Sequence, residues 1–128
     1  MPLTKLEMGA NIVALDVDSL VALRHNNNAV TIYSSDTPYL LDFPDIHYDI
    51  YSRHVYTILR ERNAKDYHVI MTPTDNILIK LSSIAAVYTN DNCVLIVLKT
   101  IGSVTTLCVE KNSPKEAEQL IETLLTAS

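Results

Sequence analysis

Apolar and polar residues come in short alternating runs along this chain, and the runs form two matched sets. Leu20–His25 and Ala29–Ser34 are rich in aliphatic and β-branched residues and flank Asn26-Asn27-Asn28. Asparagine is the non-glycine residue that best tolerates positive φ, so an Asn-Asn pair suits both central positions of a type I′ turn. A tight hairpin is predicted. Ala85–Asn90 and Cys93–Leu98 flank Asp91-Asn92 in the same way and predict a second hairpin. Superposing Ser19 on Ser83 aligns residues 19–33 with 83–97 at a single shift of 64, with identities at Ser19/Ser83, Ala22/Ala86, Asn26/Asn90, Asn28/Asn92, Val30/Val94 and Ile32/Ile96. Such self-similarity constrains architecture before any other feature does. A further turn and strand follow each hairpin: Ser35-Asp36-Thr37-Pro38 ahead of Tyr39–Phe43, and Ile101-Gly102 ahead of Val104–Glu110. One strand precedes each, Asn11–Asp16 and Asn76–Leu81.

Each half closes with a helical period. Ser113, Pro114 and Glu116 form an N-cap, a first-turn proline and the Ser-x-x-Glu capping pattern. Beyond them Ala117, Leu120, Ile121, Leu124 and Leu125 make one apolar stripe, while Lys115, Glu118, Gln119 and Glu122 face water. The earlier counterpart runs from about Asp49 to Arg62, with Tyr51, Val55, Ile58 and Leu59 as its stripe and Asn63–Tyr67 as a short linker behind it. The expected fold is therefore α+β: two tandem repeats, approximately 10–62 and 75–127, of an antiparallel multi-strand unit followed by one helix. They would pack about a pseudo-twofold axis within a single domain spanning 1–128, the helices on one sheet face.

The alternation also assigns faces. Val21, Leu23, Val30 and Ile32, with Ala85, Val87, Val94 and Ile96, are expected beneath the helices, joined by Leu107 and Val109. The opposite face carries Leu20, Ala22, Arg24, Thr31 and Tyr33 in the first half, but Ile84, Ala86, Tyr88, Leu95 and Val97 in the second. An antiparallel sheet open to water on one side should alternate polar with apolar, and Cys93–Leu98 instead reads as a strand covered on both sides. Left in water, the second outer face would be a large apolar patch, so the first half of the chain or a second copy must cover it. With both helices assigned to the inner face, self-association through Ile84, Ala86, Tyr88, Leu95 and Val97 is the leading expectation.

Composition narrows the chemistry. The chain has 128 residues, 48% of them hydrophobic and 20% charged, with a net charge of −5. That balance suits a globular protein and works against coating duplex nucleic acid, which needs clustered Lys and Arg. No apolar run approaches the ~20 residues that cross a bilayer, and no leader pattern is present, so a soluble cytoplasmic protein with no membrane association is expected. Cys93 and Cys108 lie in apolar strands and read as reduced, buried small hydrophobes. His47, His54, Asp45 and Asp49 crowd the first helix start without the i, i+4 spacing of a helical metal pair. Asp16 and Asp18 read as a solvated edge or turn, and two glycines cannot build a phosphate loop. No cofactor, metal or catalytic residue is expected. Five tyrosines, Tyr39, Tyr48, Tyr51, Tyr56 and Tyr67, gather around the first helix, where Tyr48 and Tyr56 fall off its stripe and leave room for a ligand or partner groove.

In order of elements, strands followed by a helix and doubled in one chain, the sequence resembles the purine-rich-element binding proteins and the whirly proteins. That resemblance implies a second candidate function, single-stranded nucleic-acid binding on an open sheet face. Tyr33 and Tyr88 would serve as stacking platforms, with Arg24, Lys80 and Lys99 near the backbone.

Overall fold

A computed structural model of the chain describes residues 3–35, 40–99 and 105–128. Within them the chain is α+β, with ten strands in antiparallel sheets and two α-helices. The strands β1 (Thr4–Met8) and β2 (Asn11–Leu15) form a two-stranded sheet. Next come β3 (Leu20–Asn26), β4 (Ala29–Ser34), β5 (Leu41–Phe43) and the helix α1 (Tyr48–Glu61). The second half supplies β6 (Tyr67–Met71), β7 (Asp75–Lys80), β8 (Ile84–Asn90), β9 (Cys93–Leu98), β10 (Thr105–Glu110) and α2 (Pro114–Ala127). The predicted turns at Asp36-Thr37-Pro38 and Ile101-Gly102, together with Tyr39 and Val104, lie outside the described residues.

Local chemistry accounts for these elements. Asn27 and Asn28 take φ of 52° and 55°, as the hairpin turn between β3 and β4 requires, and Asp91 takes φ 55° in the turn between β8 and β9. The Ser113 hydroxyl accepts from the Glu116 N–H at 3.2 Å, while the Glu116 carboxylate reaches back to the Asn112 N–H at 3.0 Å, one residue earlier than a capping box would place it. At α1 the cap is His47, whose Nδ1 accepts from the Asp49 N–H. Asp16 caps a 3-10 turn, Val17–Ser19, that is matched by another at Leu81–Ser83. Two strands go beyond the expected elements: β1, and β6, which begins where the linker was expected to end. In β1, buried Leu6 and Met8 alternate with exposed Lys5 and Glu7.

Pairing breaks the equivalence of the halves. β7 hydrogen-bonds to β3, giving a five-stranded sheet ordered β5-β4-β3-β7-β6, whereas β2 pairs with β1 and β8 pairs with β9. A separate three-stranded sheet runs β10-β9-β8. There are accordingly two cores. One packs α1, through Tyr51 and Ile58, against Leu6, Met8, Leu20, Leu23, Ile32 and Leu78. The other joins α2, through Ala117, Leu120 and Leu124, to Val94, Ile96, Leu98, Leu107 and Val109 and to the far face of the five-stranded sheet, Val21, Ala22, Tyr33, Ile77 and Ile79. The helices therefore serve different cores rather than one common sheet face, because β6 and β7 leave their own half to extend the sheet of the other.

The face assignment changes for a second reason. A β-bulge sets two residues of β3 against one of β4, so that Leu20 pairs with Ser34 but Ala22 pairs with Tyr33, and its counterpart in β8 pairs Ile84 with Leu98 and Ala86 with Val97. Each bulge exchanges its neighbours between faces. Leu20 joins the α1 core, Val21 turns to the opposite side, Ile84 packs inward and Ala85 is exposed. Thus β3 is the strand buried on both sides, whereas β9, expected to be covered on both, alternates buried with half-buried residues, and its neighbour β8 is largely exposed. Leu125, placed on the α2 stripe by periodicity, is 62% exposed.

Tyr33 is 6% exposed and lies between sheet and sheet. Tyr33→Ala is expected to destabilise the fold by about 3 kcal/mol, the scale of a large aromatic lost from a core, which chemical denaturation would measure. A change within experimental error would mean the ring is not part of the core.

Candidate functional site

Of the residues expected to contact nucleic acid, Tyr33 is withdrawn into the protein and Arg24 is half-buried and engaged within the sheet. Tyr33 offers no face for stacking, since the second half of the chain covers it. Arg24 and Asn26 both reach Asp75 Oδ1, at 2.7 and 2.6 Å, and the Asp75 side chain is 7% exposed. These contacts span β3 and β7. Burial works to raise the Asp75 carboxyl, but hydrogen bonds from Arg24, Asn26 and Thr74 and the Arg24 charge outweigh it and hold the group below the ordinary carboxylate value. Arg24 is a fastener of the sheet rather than a free cation.

Lys80 and Lys99 have a different setting. Lys80 Nζ donates to the Asp18 carbonyl at 2.8 Å and Lys99 Nζ to the Ser82 carbonyl at 3.1 Å. Neither carbonyl neutralises an ammonium. Both carbonyls belong to the two 3-10 turns, so the lysines stand at the same end of the molecule. Arg62 joins them there, its Nε 3.2 Å from Asp18 Oδ1. Lys65 lines a recess of about 260 Å³ with Asp66, Leu81 and Ser82. Four cations, Arg62, Lys65, Lys80 and Lys99, thus surround these two turns, with Asp18 on the first turn and Asp66 beside Lys65 as the carboxylates among them. Sequence reasoning missed Arg62 and Lys65 because they are local only after β7 has crossed to β3.

The outer face of the three-stranded sheet carries the other expected residues. Ala86 pairs with Val97 and Tyr88 with Leu95, and on the far side Thr106 and Cys108 complete two cross-strand rows. Tyr88 is 50% exposed, and Leu95 and Val97 are half-buried and belong to neither core. Ile84 is not on this face, for it packs against the α2 core. Cys108 is exposed and Cys93 half-buried, because both project outward rather than into the core expected for them. Hydrogen bonding with Cys108 pushes the Cys93 thiol up.

Around α1, Tyr51 is buried and donates to the Leu23 carbonyl at 2.9 Å, and burial holds its hydroxyl well above the ordinary tyrosine range. His25 packs edge-on to Tyr48 and donates from Nε2 to the Ile46 carbonyl. Tyr56 lies 61% exposed with the Arg60 guanidinium over its ring. His54 Nε2 is committed to the Glu7 carbonyl at 2.7 Å, beside a groove of about 310 Å³ lined by Lys5, Ile50 and Arg53. Among the described residues no three His, Cys, Asp or Glu side chains gather where they could hold a metal, and no helix is long and apolar enough to cross a membrane.

No family model and no curated protein matches this chain. Among solved structures the chain is similar to a LytTr DNA-binding domain from Bacillus cereus, with a TM-score of 0.54 and 8% sequence identity over 98% of this chain and 97% of that one. The likeness is one of fold.

The Arg24–Asn26–Asp75 cluster generates a stability prediction. Asp75→Asn is expected to lower stability by about 2–3 kcal/mol at neutral pH, because the Arg24 charge loses its hydrogen-bonded partner in a partly buried site. A carboxyl depressed in the folded state contributes stability that is complete above its unfolded value of about 3.9 and is lost as pH falls through the folded value. Acid unfolding followed by circular dichroism should therefore be less steep below that pH in Asp75→Asn than in wild type. Parallel acid curves would contradict this.

Proposed function

We propose that this chain is a binding module that engages nucleic acid through the phosphate backbone, with Lys80, Lys99, Lys65 and Arg62 as the contacting cations. The observation that carries this reading is the gathering of four cations at one end, two of them hydrogen-bonded to carbonyls that leave their charge intact. Nonspecific affinity for nucleic acid comes from releasing counterions as Lys and Arg neutralise phosphates, so a local cluster can act within an acidic chain. The DNA-binding description of the Bacillus cereus domain supports the reading from the side of the fold. Tyr88 is the tyrosine of the expected pair that remains available to stack a base. The same order of strands, 3-10 turn and helix in both halves further supports descent from one duplicated unit, packed as a single domain.

The test is a titration of labelled single-stranded and duplex oligonucleotides at several salt concentrations. Binding should weaken with salt, and Lys80→Glu with Lys99→Glu should reduce affinity by about tenfold or more and flatten the log–log salt slope by about two contacts. Absence of binding at low salt, or full affinity in the double variant, would end the proposal.

A second reading, self-association through Ala86, Tyr88, Leu95 and Val97, is favoured by one specific observation. The first half of the chain packs on the inner face of the three-stranded sheet and leaves the outer face open. Wild type at micromolar concentration should sediment faster than a 14.3 kDa monomer, and Leu95→Lys with Val97→Lys should sediment as a smaller species than wild type. A monomeric wild type would remove this reading.

A further inference from the structure

We infer that the free edge of β8 pairs with β8 of a second copy, antiparallel, to join two three-stranded sheets into one six-stranded sheet. The proposal deepens the self-association reading, on which it rests for the presence of a second copy, and it assigns contacts that do not involve the outer-face positions Leu95 and Val97. It begins from the two halves of the chain. β3 and β8 occupy the same place in the order of elements, carry the same bulge, and pair with the next strand in the same register. β3 has a second neighbour, β7, bound antiparallel along Ala22–Asn26. Among the described residues no strand occupies the corresponding edge of β8.

That edge is suited to pairing. A two-residue turn, Asp91-Asn92, makes Asn90 and Cys93 a hydrogen-bonded pair, and alternation along an antiparallel ladder then aims the N–H and C=O of Val87 and Thr89 away from β9. Natural sheets blunt exposed edges with lysine, proline or inward-pointing charge. β8 reads Ile-Ala-Ala-Val-Tyr-Thr-Asn and has none of these, and the side chains from Ala85 to Asn90 are exposed apart from Val87.

The occupant follows from self-complementarity. An antiparallel strand laid against its own copy near Val87 and Tyr88 meets an identical surface, as an isologous interface requires. On the inner side an apolar groove of about 340 Å³, lined by Ile84, Val87, Ile121 and Leu125, opens beside the strand. Leu125, exposed at the end of α2, would be covered by the partner's equivalent groove, and each copy both offers and receives it. An acidic or basic peptide would find no charge on β8 to meet. A second copy brings an equally uncharged strip.

Hydrogen exchange and sedimentation test the idea together. The amides of Val87 and Thr89 should be protected in the oligomer and lose protection on dilution. Thr89→Pro removes one outward donor without touching the β9 ladder, and it should weaken association by about tenfold or more. Leu125→Glu, a change at an exposed helix position, should act in the same direction. A monomeric wild type would overturn this inference and the outer-face reading alike. An oligomer that survives Thr89→Pro and Leu125→Glu but is dissociated by Leu95→Lys with Val97→Lys would overturn the edge alone, as would fast exchange at Val87 and Thr89 in the oligomer.

Discussion

The antiparallel pairing of β3 with β7 is the contact on which the rest of the structure depends. It sets a strand of the second half beside the central strand of the first and so makes β3 interior on every side, with β4 and β7 at its edges and a core above and below. Leu20, Val21, Ala22 and Leu23 are all buried in consequence. A fully buried aliphatic side chain contributes roughly 1.5–3 kcal/mol, so this short stretch is a major share of what holds the halves together. Arg24, Asn26 and Asp75 fasten one end of the same pair with charged hydrogen bonds through the guanidinium Nε and the Asn26 amide.

The crossing also explains where function can reside. By carrying Lys80 to the 3-10 turn that contains Asp18, it assembles cations from the C-cap of α1, the linker, β7 and the residue after β9 around two turns that are distant in sequence. By packing the second half against the first through the inner face of the three-stranded sheet, it leaves the outer face and the β8 edge open. The two surfaces differ in kind. One is rich in cations and suits phosphate, while the other is largely apolar, with Glu110 at one end, and suits protein. Under the proposed function, two copies joined through the apolar surface would present two cation clusters, and avidity would raise the affinity that a modest number of phosphate contacts provides.

Much of this was legible in the residues. The Asn-Asn and Asp-Asn turns, the Ser-Pro-x-Glu helix start and the matched spacing of the two hairpins rest on interactions within a few residues, and local chemistry determines them wherever the segment lies. Those elements appear at their expected positions to within a residue or two. Burial of Leu107, Val109, Ala117, Leu120 and Leu124 followed equally from periodicity. The bulges did not, because a one-residue shift of register costs little locally and reverses the face of each side chain before it. Leu20, Val21, Ile84 and Ala85 were misplaced for that reason alone.

The two hairpins with their turns and the two helices therefore follow from neighbours along the chain, whereas β1 and β6 were not read from the local pattern. Tertiary structure decided which strand is interior, whether Tyr33 meets solvent, what Arg24 is paired with, and which lysines stand together. Those outcomes depend on a pairing between residues about 55 positions apart, Ala22 with Ile79 and Arg24 with Ile77, and no local pattern encodes a partner that far away. Apolar content marked β9 as doubly covered and left β3 looking half-solvated; the sheet order, set by long-range hydrogen bonds, reversed them.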